Sequence, residues 1–209
     1  QPFSTTFGDI YHAPDAHAEV ERVFLAPSGI PRGKPTAHGF RIGELGFGTG
    51  LNFVVAAAAL RRAGEQLTFT SFEAAPIAPE TFRALARRRA ARHPELADLY
   101  RELAEVYPPL LSGWHQRRLA NGRVHLHIFY GDAGAGLSSL ITRSQSVRVA
   151  PMHAWFLDGF APDRNPELWA PEVIAAIARL SSRGTTVATF TAAGRVRRAL
   201  AAEGFAMRR

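Results

Sequence analysis

Glu44-Leu45-Gly46-Phe47-Gly48-Thr49-Gly50-Leu51-Asn52-Phe53 is the stretch that decides the fold of this 209-residue chain. A short apolar run precedes it and an alanine-rich run follows it. Glycine permits tight turns with positive φ and lets the backbone approach a ligand closely. The stretch therefore predicts a strand, then a loop that binds a nucleotide-like cofactor, then a helix.

The glycine spacing and the acid before it indicate the class of ligand. A dinucleotide site usually reads G-x-G-x-x-G and places a pyrophosphate on the free N–H groups of the helix. Here the spacing is G-x-G-x-G, and the carboxylate of Glu44 would repel a diphosphate. S-adenosylmethionine carries a sulfonium and an ammonium and no phosphate, so the loop is interpreted as its site. The alternative is a glycine turn that binds no ligand, which the added acid disfavours. The cofactor contacts predicted from this stretch are Glu44, Gly46, Phe47, Gly48, Thr49, Gly50 and Asn52.

Strand-like and helix-like runs alternate along the chain. Predicted strands cover residues 40–45, 67–73, 124–130, 154–157 and 185–190. Predicted helices cover residues 51–62, 79–92, 94–107, 133–141, 171–180 and 194–203. This order predicts an α/β fold with a Rossmann-like, doubly wound, mostly parallel sheet, as in class I S-adenosylmethionine-dependent methyltransferases.

The chain length is that of one globular domain. We assign residues 1–39 to an N-terminal substrate or cap segment and residues 40–209 to the methyltransferase domain, with a helical insertion at about 79–115. The first residue is Gln1 and the last is Arg209, so we expect both natural ends to be absent.

Acidic residues stand at the end of four successive predicted strands: Glu44, Glu73, Asp132 and Asp158. A single acid in such a place is more often a turn or helix-cap residue than a ligand contact. Because ligands of open α/β sheets bind at the carboxyl ends of the strands, we expect all four to face one crevice.

Each of the later acids receives a predicted role. Glu73 lies 23 positions after Gly50, near the roughly 20-residue offset at which an acid holds ribose hydroxyls. Asp132, followed by Ala133, either accepts from the adenine amino group or caps the next helix. Asp158 lies opposite the sulfonium and is counted among the cofactor contacts.

Asp158 is also the predicted catalytic residue. Methyl transfer is an in-line displacement, so the protein has to align a neutral nucleophile and exclude water. An amine is mostly protonated near neutral pH, and a carboxylate can accept its proton or orient its lone pair. Phe160 and Trp169 could stack on a base, although core packing is an equal alternative for Trp169. The other predicted substrate contacts are Tyr11, Pro162 and Asn165.

Composition bounds the remaining possibilities. The chain is 46% hydrophobic and carries a formal net charge of +7, which fits a polyanionic partner. It has no cysteine, which excludes disulfides, thiolate metal sites and a cysteine nucleophile. No apolar run reaches the roughly 18 residues that a membrane span requires. We therefore expect a cytoplasmic protein without membrane association.

Arginine clusters and paired histidines have plain explanations. Two groups of arginines could contact nucleic-acid phosphates, although a solvated helix face is the commoner explanation of such a run. The first group is Arg83, Arg87, Arg88, Arg89 and Arg92, and the second is Arg195, Arg197 and Arg198. His125 and His127 share a strand face, but no third ligand is suitably spaced, so no metal is predicted. There is no second glycine fingerprint for a flavin, no G-x-S-x-G elbow and no P-loop lysine motif.

Several motifs are shared with one known family. They are Phe7-Gly8-Asp9-Ile10-Tyr11, Val23-Phe24-Leu25, residues 44–53, Ser71-Phe72-Glu73, Tyr107-Pro108-Pro109-Leu110 and Gly131-Asp132-Ala133. The most specific are Ala154-Trp155-Phe156-Leu157-Asp158-Gly159-Phe160-Ala161-Pro162, Asn165-Pro166 with Trp169, and Ala188-Thr189-Phe190-Thr191-Ala192-Ala193-Gly194. Over nearly all its length the chain resembles the methyltransferase half of the bacterial bifunctional tRNA 5-methylaminomethyl-2-thiouridine biosynthesis (MnmC) proteins.

The resemblance implies a reaction and partners. The reaction is methylation, by S-adenosylmethionine, of the exocyclic amine of 5-aminomethyl-2-thiouridine at the tRNA wobble position. The partners are tRNA and a flavin-dependent oxidase, either as a further domain or as a separate protein.

The chain departs from the usual family pattern at three places, and these departures affect details of substrate contact. It has Ala74 in place of lysine, Pro27-Ser28 in place of Gly-Asn, and Arg195 in place of phenylalanine. The family also continues into a final strand rich in glycine and basic residues, and this resemblance implies that the closing antiparallel hairpin at the C-terminal end of the sheet is incomplete.

Two alternatives remain open at this point. One is a class I methyltransferase or aminopropyltransferase acting on a small amine. The other is a catalytically silent RNA-binding module.

Overall fold

The computed structural model describes residues 3–4, 9–10, 16–30, 39–146 and 150–208. Within these ranges a six-stranded sheet forms the centre of the fold. Its strands in chain order are β3 (Phe40–Leu45), β4 (Leu67–Glu73), β5 (Gly113–Leu119), β6 (Val124–Tyr130), β7 (Met152–Leu157) and β8 (Ser181–Thr189). Two short strands before them, β1 (Phe3–Ser4) and β2 (Asp9–Ile10), form an antiparallel pair of their own.

The strand order across the sheet is β5-β6-β4-β3-β7-β8. All neighbours are parallel except β5 and β6, which pair antiparallel at one edge. The α/β class and the mostly parallel, Rossmann-like sheet predicted from the sequence are therefore confirmed. Strands β3 and β7 lie side by side, so the carboxyl ends that carry Glu44 and Asp158 are adjacent.

Seven α-helices lie within the described residues. They are α1 (Ala16–Val20), α2 (Leu51–Arg62), α3 (Pro79–Arg92), α4 (Ala97–Val106), α5 (Ala133–Ser146), α6 (Pro171–Arg179) and α7 (Gly194–Ala202). A π-helical turn (Glu21–Leu25) continues α1, and 3-10 turns cover Pro94–Leu96 and Glu167–Trp169.

Two apolar layers enclose the sheet. Because successive side chains of a strand point to opposite faces, Phe156 packs with α2 and α4, whereas the neighbouring Trp155 packs with α5 and α6. Gly43 of the adjacent strand accommodates this indole, since a Cβ on Gly43 would overlap the Trp155 ring. Because both faces of the sheet are covered, the last four residues of β3 and of β7 are all buried, without alternation.

Several described elements were missing from the sequence-based prediction, among them strand β5 and helix α1. Strand β5 has the polar sequence Gly-Trp-His-Gln-Arg-Arg-Leu, because an edge strand needs few buried positions, and it begins within the predicted helical insertion. Helix α1 is only five residues long, too short to show a helical period, and buries Ala16 and Val20. The predicted helix over residues 94–107 is a 3-10 turn followed by α4.

Candidate active site

A cavity of about 490 Å³ lies at the carboxyl ends of the central strands. The loop after β3, the ends of β4, β6 and β7, and residues of α1 and of the segment after β8 form its walls. Predicted site residues on its wall are Gly46, Phe47, Gly48, Thr49, Asn52, Glu73, Asp132, Ala133, Asp158, Phe160, Pro162 and Asn165. Tyr11 lies outside the described residues.

The glycine loop requires its glycines. Gly46, Gly48 and Gly50 have φ values of 88°, 48° and 68°, a region that other residues rarely adopt. A Cβ on Gly46 would lie 3.0 Å from the carbonyl oxygen of Asp158, so a side chain there would also crowd the adjoining strand end. Gly50, also predicted as a cofactor contact, is not among the residues on the cavity wall, and a Cβ there would meet Leu103 and Phe47. Its role is to turn the backbone into α2.

Neighbouring elements hold the glycine loop in place. The Gly48 N–H donates to Glu73 Oε2 at 2.8 Å, and the Ala75 N–H donates to Glu73 Oε1 at 2.8 Å. On the far side, Arg89 of α3 donates from Nη1 to the Thr49 carbonyl at 3.3 Å. Burial raises the pKa of Glu73, and the backbone hydrogen bonds oppose that rise. The loop is thus fixed before any ligand binds.

Glu44 does not line the cavity, so the expectation that all four strand-end acids face the crevice is wrong for this residue. Its side chain is 1% exposed, accepts from Ser71 Oγ at 2.6 Å and accepts from Asn52 Nδ2 at 3.0 Å. Burial raises the pKa of Glu44 well above its ordinary value. Glu44 therefore acts on the cavity through Asn52.

Asn52 joins Glu44 to Asp158. Its Nδ2 also donates to Asp158 Oδ2 at 2.6 Å, and the side chain is only 3% exposed. Because both neighbours are carboxylates, the amide nitrogen has to face them. One amide therefore orients the carboxylate that lines the cavity.

Asp158 is a titratable carboxylate near neutral pH. Its pKa is raised to about 7: burial raises it most, the Asn52 hydrogen bond lowers it, and the charge of Glu19 raises it. Asp158 nevertheless lines the cavity and is partly exposed. A carboxylate whose pKa lies near the working pH is suited to accept a proton from a bound amine.

Asp132 has a cap contact and also lines the cavity. Its Oδ1 accepts from the Ala135 N–H at 2.8 Å, an N-cap interaction at the start of α5. Asp132 and Ala133 stand on the cavity wall at the end of β6. The two roles predicted for Asp132 therefore do not exclude each other.

The loop after β7 forms the opposite wall. Phe160, Pro162 and Asn165 line the cavity, but Trp169 does not. Trp169 is 6% exposed, packs in the core on the α6 side of the sheet, and donates from Nε1 to the Phe160 carbonyl at 2.9 Å. The core alternative for Trp169 is therefore correct, and the indole supports Phe160.

Wall residues that sequence reasoning missed include the acids Glu19 and Glu167 and the pair Phe190 and Thr191 after β8. Phe190 is 47% exposed although it is large and apolar, and its ring meets Phe24 edge-on at a centroid distance of 4.9 Å. Its place just after strand β8 was a usable signal. Glu19 offered none, because α1 was not predicted.

The cavity is acidic. Five carboxylates line it, and among its described lining residues there is no arginine, lysine or histidine. A cationic ligand fits this wall, and the glycine loop leaves room for it beside the backbone. S-adenosylmethionine has both properties, so the residues present are suited to hold it.

Two features are absent from the described part of the chain. No group of three or more histidine or acidic side chains is placed to hold a metal ion. No described helix has the length and apolar character needed to cross a bilayer.

Comparison with known proteins shows a methyltransferase family and a set of similar proteins. Residues 94–209 match the family described as S-adenosyl-L-methionine-dependent methyltransferase. Proteins named tRNA 5-methylaminomethyl-2-thiouridine biosynthesis bifunctional protein MnmC are similar: that of Aromatoleum aromaticum is 42% identical over 98% of this chain, and that of Chromobacterium violaceum is 40% identical over 100%. The chain spans 31% of the length of each.

A solved structure is also similar. The crystal structure of MNMC2 from Aquifex aeolicus superposes with a TM-score of 0.70 and is 26% identical in sequence. The match covers 98% of this chain and 60% of that one.

Proposed function

This chain belongs to the S-adenosyl-L-methionine-dependent methyltransferases, and we propose that it methylates the exocyclic amine of 5-aminomethyl-2-thiouridine at the wobble position of tRNA. The product is 5-methylaminomethyl-2-thiouridine. The observation that carries the proposal is Asp158, an amide-held carboxylate of pKa about 7 in a cavity lined by acids.

The cofactor would lie along the glycine loop. S-adenosylmethionine supplies a methyl group bound to a positively charged sulfur. Glu73 is suited to accept from the ribose hydroxyls, because each of its oxygens keeps acceptor capacity beyond the one N–H it already binds. Asp132 and Ala133 would border the adenine. Gly46, Phe47, Gly48, Thr49 and Asn52 would form the wall beside the cofactor.

Asp158 would prepare the acceptor nitrogen. An alkylammonium has no free lone pair, so it has to lose one proton before it can attack a methyl carbon. The proton passes from the ammonium to the Asp158 carboxylate. The neutral amine would then form the new N–C bond while the bond between the methyl carbon and the sulfur breaks, and the electron pair of that bond would stay on the sulfur, which becomes neutral. Asn52 holds the carboxylate during this step, and Asp158 afterwards returns its proton to solvent.

The acceptor base would bind at the wall formed by the loop after β7. Phe160 offers a ring face, Pro162 an apolar edge and Asn165 an amide for a base edge. Trp169 holds Phe160 by its backbone. A flavin-dependent oxidase, as another domain or a separate protein, is the proposed partner, in line with the word bifunctional in the relatives' names.

A small free amine is the second candidate acceptor. Five carboxylates without a basic residue on the described wall would attract any alkylammonium, whether or not it is attached to RNA. Methyl or aminopropyl transfer to such an amine needs the same deprotonation by Asp158.

The test uses labelled S-adenosylmethionine with tRNA that carries 5-aminomethyl-2-thiouridine. Label should appear in the modified nucleoside after nuclease digestion, and tRNA with unmodified uridine at that position serves as the control. Absence of label from the aminomethyl tRNA would refute the proposal. Incorporation into free amines but not into tRNA would favour the second candidate.

A further inference from the structure

Glu19 is an acid on the cavity wall for which neither the sequence nor the proposed mechanism supplied a role. It lies on α1, between the buried residues Ala16 and Val20, and all three line the cavity. Its side chain is partly exposed, and it makes no hydrogen bond or ion pair with any residue in the described part of the chain.

The electrostatic partner of Glu19 is Asp158. The charge of Glu19 raises the pKa of Asp158, whereas Glu73 is not among the groups that shift it. Glu44 is coupled to Asp158 as well, because the charge of Asp158 raises the pKa of Glu44 and Asn52 donates hydrogen bonds to both carboxyl groups. Glu19 and Asp158 therefore line the same cavity and interact through their charges.

Two nearby carboxylates without a cation are an unfavourable arrangement in a partly desolvated cavity. The other acids that face this space, Glu73, Asp132 and Glu167, add negative charge. No basic side chain from the described lining residues offsets them. The arrangement becomes favourable when a cationic group lies between Glu19 and Asp158.

We propose that Glu19 binds the primary ammonium group of the acceptor and holds it against Asp158, as a positioning and specificity residue. The inference rests on the proposed function, since it requires an amine acceptor. An alkylammonium has three N–H donors, so one can point to Glu19 while another points to Asp158. When the proton has passed to Asp158, the remaining hydrogen bond to Glu19 keeps the amine in place and leaves its lone pair free to face the methyl group.

The experiment is a binding comparison that needs no turnover. The dissociation constants of aminomethyl tRNA and of the same tRNA with unmodified uridine are measured, with S-adenosylhomocysteine present, for the wild type and for Glu19→Gln. The wild type should prefer the aminomethyl tRNA, and Glu19→Gln should lose about tenfold of that preference. Glu19→Asp should retain part of it, because the charge remains.

Glu21→Gln is the matched control. Glu21 is the next glutamate in the chain and does not line this cavity. Its side chain is 60% exposed, and its Oε1 lies 4.0 Å from Nη2 of Arg62. Its variant should bind both tRNAs as the wild type does.

A kinetic readout separates recognition from folding. Removing the Glu19 charge should lower the pKa of Asp158, so the acid limb of the pH–rate profile of Glu19→Gln should move to lower pH. A purely structural defect would lower the rate without moving that limb.

The outcomes are distinct. A wild-type preference for the aminomethyl tRNA that survives in Glu19→Gln would overturn the role of Glu19, as would the absence of any preference in the wild type. Weaker S-adenosylhomocysteine binding with an unchanged tRNA preference would instead assign Glu19 to the cofactor. A Glu19-dependent preference without methyl incorporation would leave the inference standing and refute the proposed function.

Discussion

The cavity and the outer face of α3 carry charge of opposite sign. The outer face of α3 consists of Arg83, Arg87, Arg88 and Arg92, all exposed. The cavity is lined by five carboxylates and by no basic residue among those described. A net charge of +7 therefore says nothing about the charge at the site. The positive surface is suited to bind a large polyanionic partner, whereas the negative cavity is suited to bind small cations.

Arg89 shows that the two regions are connected. It belongs to the same arginine run but is 6% exposed, donates to the Thr49 carbonyl, and lies with its guanidinium 5.7 Å from the centre of the Tyr100 ring. Four arginines of the run thus face solvent, while the fifth supports the glycine loop from behind. Their burial, not their spacing, separates the two roles.

The largest expected effect comes from removing the central carboxylate of the cavity. Asp158→Ala should lower kcat by about 10²- to 10⁴-fold, because the acceptor ammonium then has no base. S-adenosylmethionine affinity should stay within about threefold, since one contact among many is lost. Single-turnover methyl transfer and equilibrium cofactor binding measure the two quantities. Loss of both together would mean that Asp158 serves the cofactor.

The pH profile should follow the same carboxylate. Asp158 must be ionised to accept a proton, and its pKa is about 7. The methyl-transfer rate should therefore be steady above that pH and fall about tenfold per pH unit below it. Rates measured between mildly acidic and mildly basic pH check this. A flat profile across neutral pH would argue against Asp158 as the base.

A buried and an exposed arginine of α3 offer a direct contrast. Arg89→Met should lower the free energy of unfolding by roughly 1–3 kcal/mol, because it leaves a buried carbonyl of the glycine loop without its donor. Arg88→Met, at the exposed neighbouring position, should change it by less than about 0.5 kcal/mol. Urea unfolding of both variants measures the difference. Equal effects would show that Arg89 does not support the loop.

The smallest effect is expected on the outer face of α3. If these side chains are only solvated, replacing Arg83, Arg87, Arg88 and Arg92 by glutamine should change the tRNA dissociation constant by less than about threefold. Measurements over a range of salt concentration provide the check. A decrease in the salt slope by about 0.9 for each arginine removed would show instead that these side chains contact phosphates.

The sequence predicted secondary-structure elements well where a local signal existed. The bounds of β3, β4, β6, α2 and α3 were predicted as the structure has them. The resemblance to MnmC-type methyltransferases is confirmed by the family match and by the similar relatives. These features depend on apolar runs, glycine turns and prolines at helix starts, all of which are local in the chain.

The errors concern residues whose environment is built by distant parts of the chain. Glu44 was expected at the cavity, but Asn52 and Ser71 enclose it. Trp169 could have stacked on a base or filled the core, and only the packing on the α6 side of the sheet decides this. Glu19 reaches the cavity from a five-residue helix that showed no helical period.

The sequence by itself determined the α/β order, the glycine loop, the acids at the strand ends and the family. Each of these depends on neighbouring residues and on the regular geometry of strands and helices. Only the tertiary structure decided which acids share the cavity, which arginine is buried and which carboxylate has a pKa near neutral. The physical reason is that desolvation and charge coupling depend on distances in space, and folding brings Glu19, Asn52 and Asp158 together from distant positions in the chain.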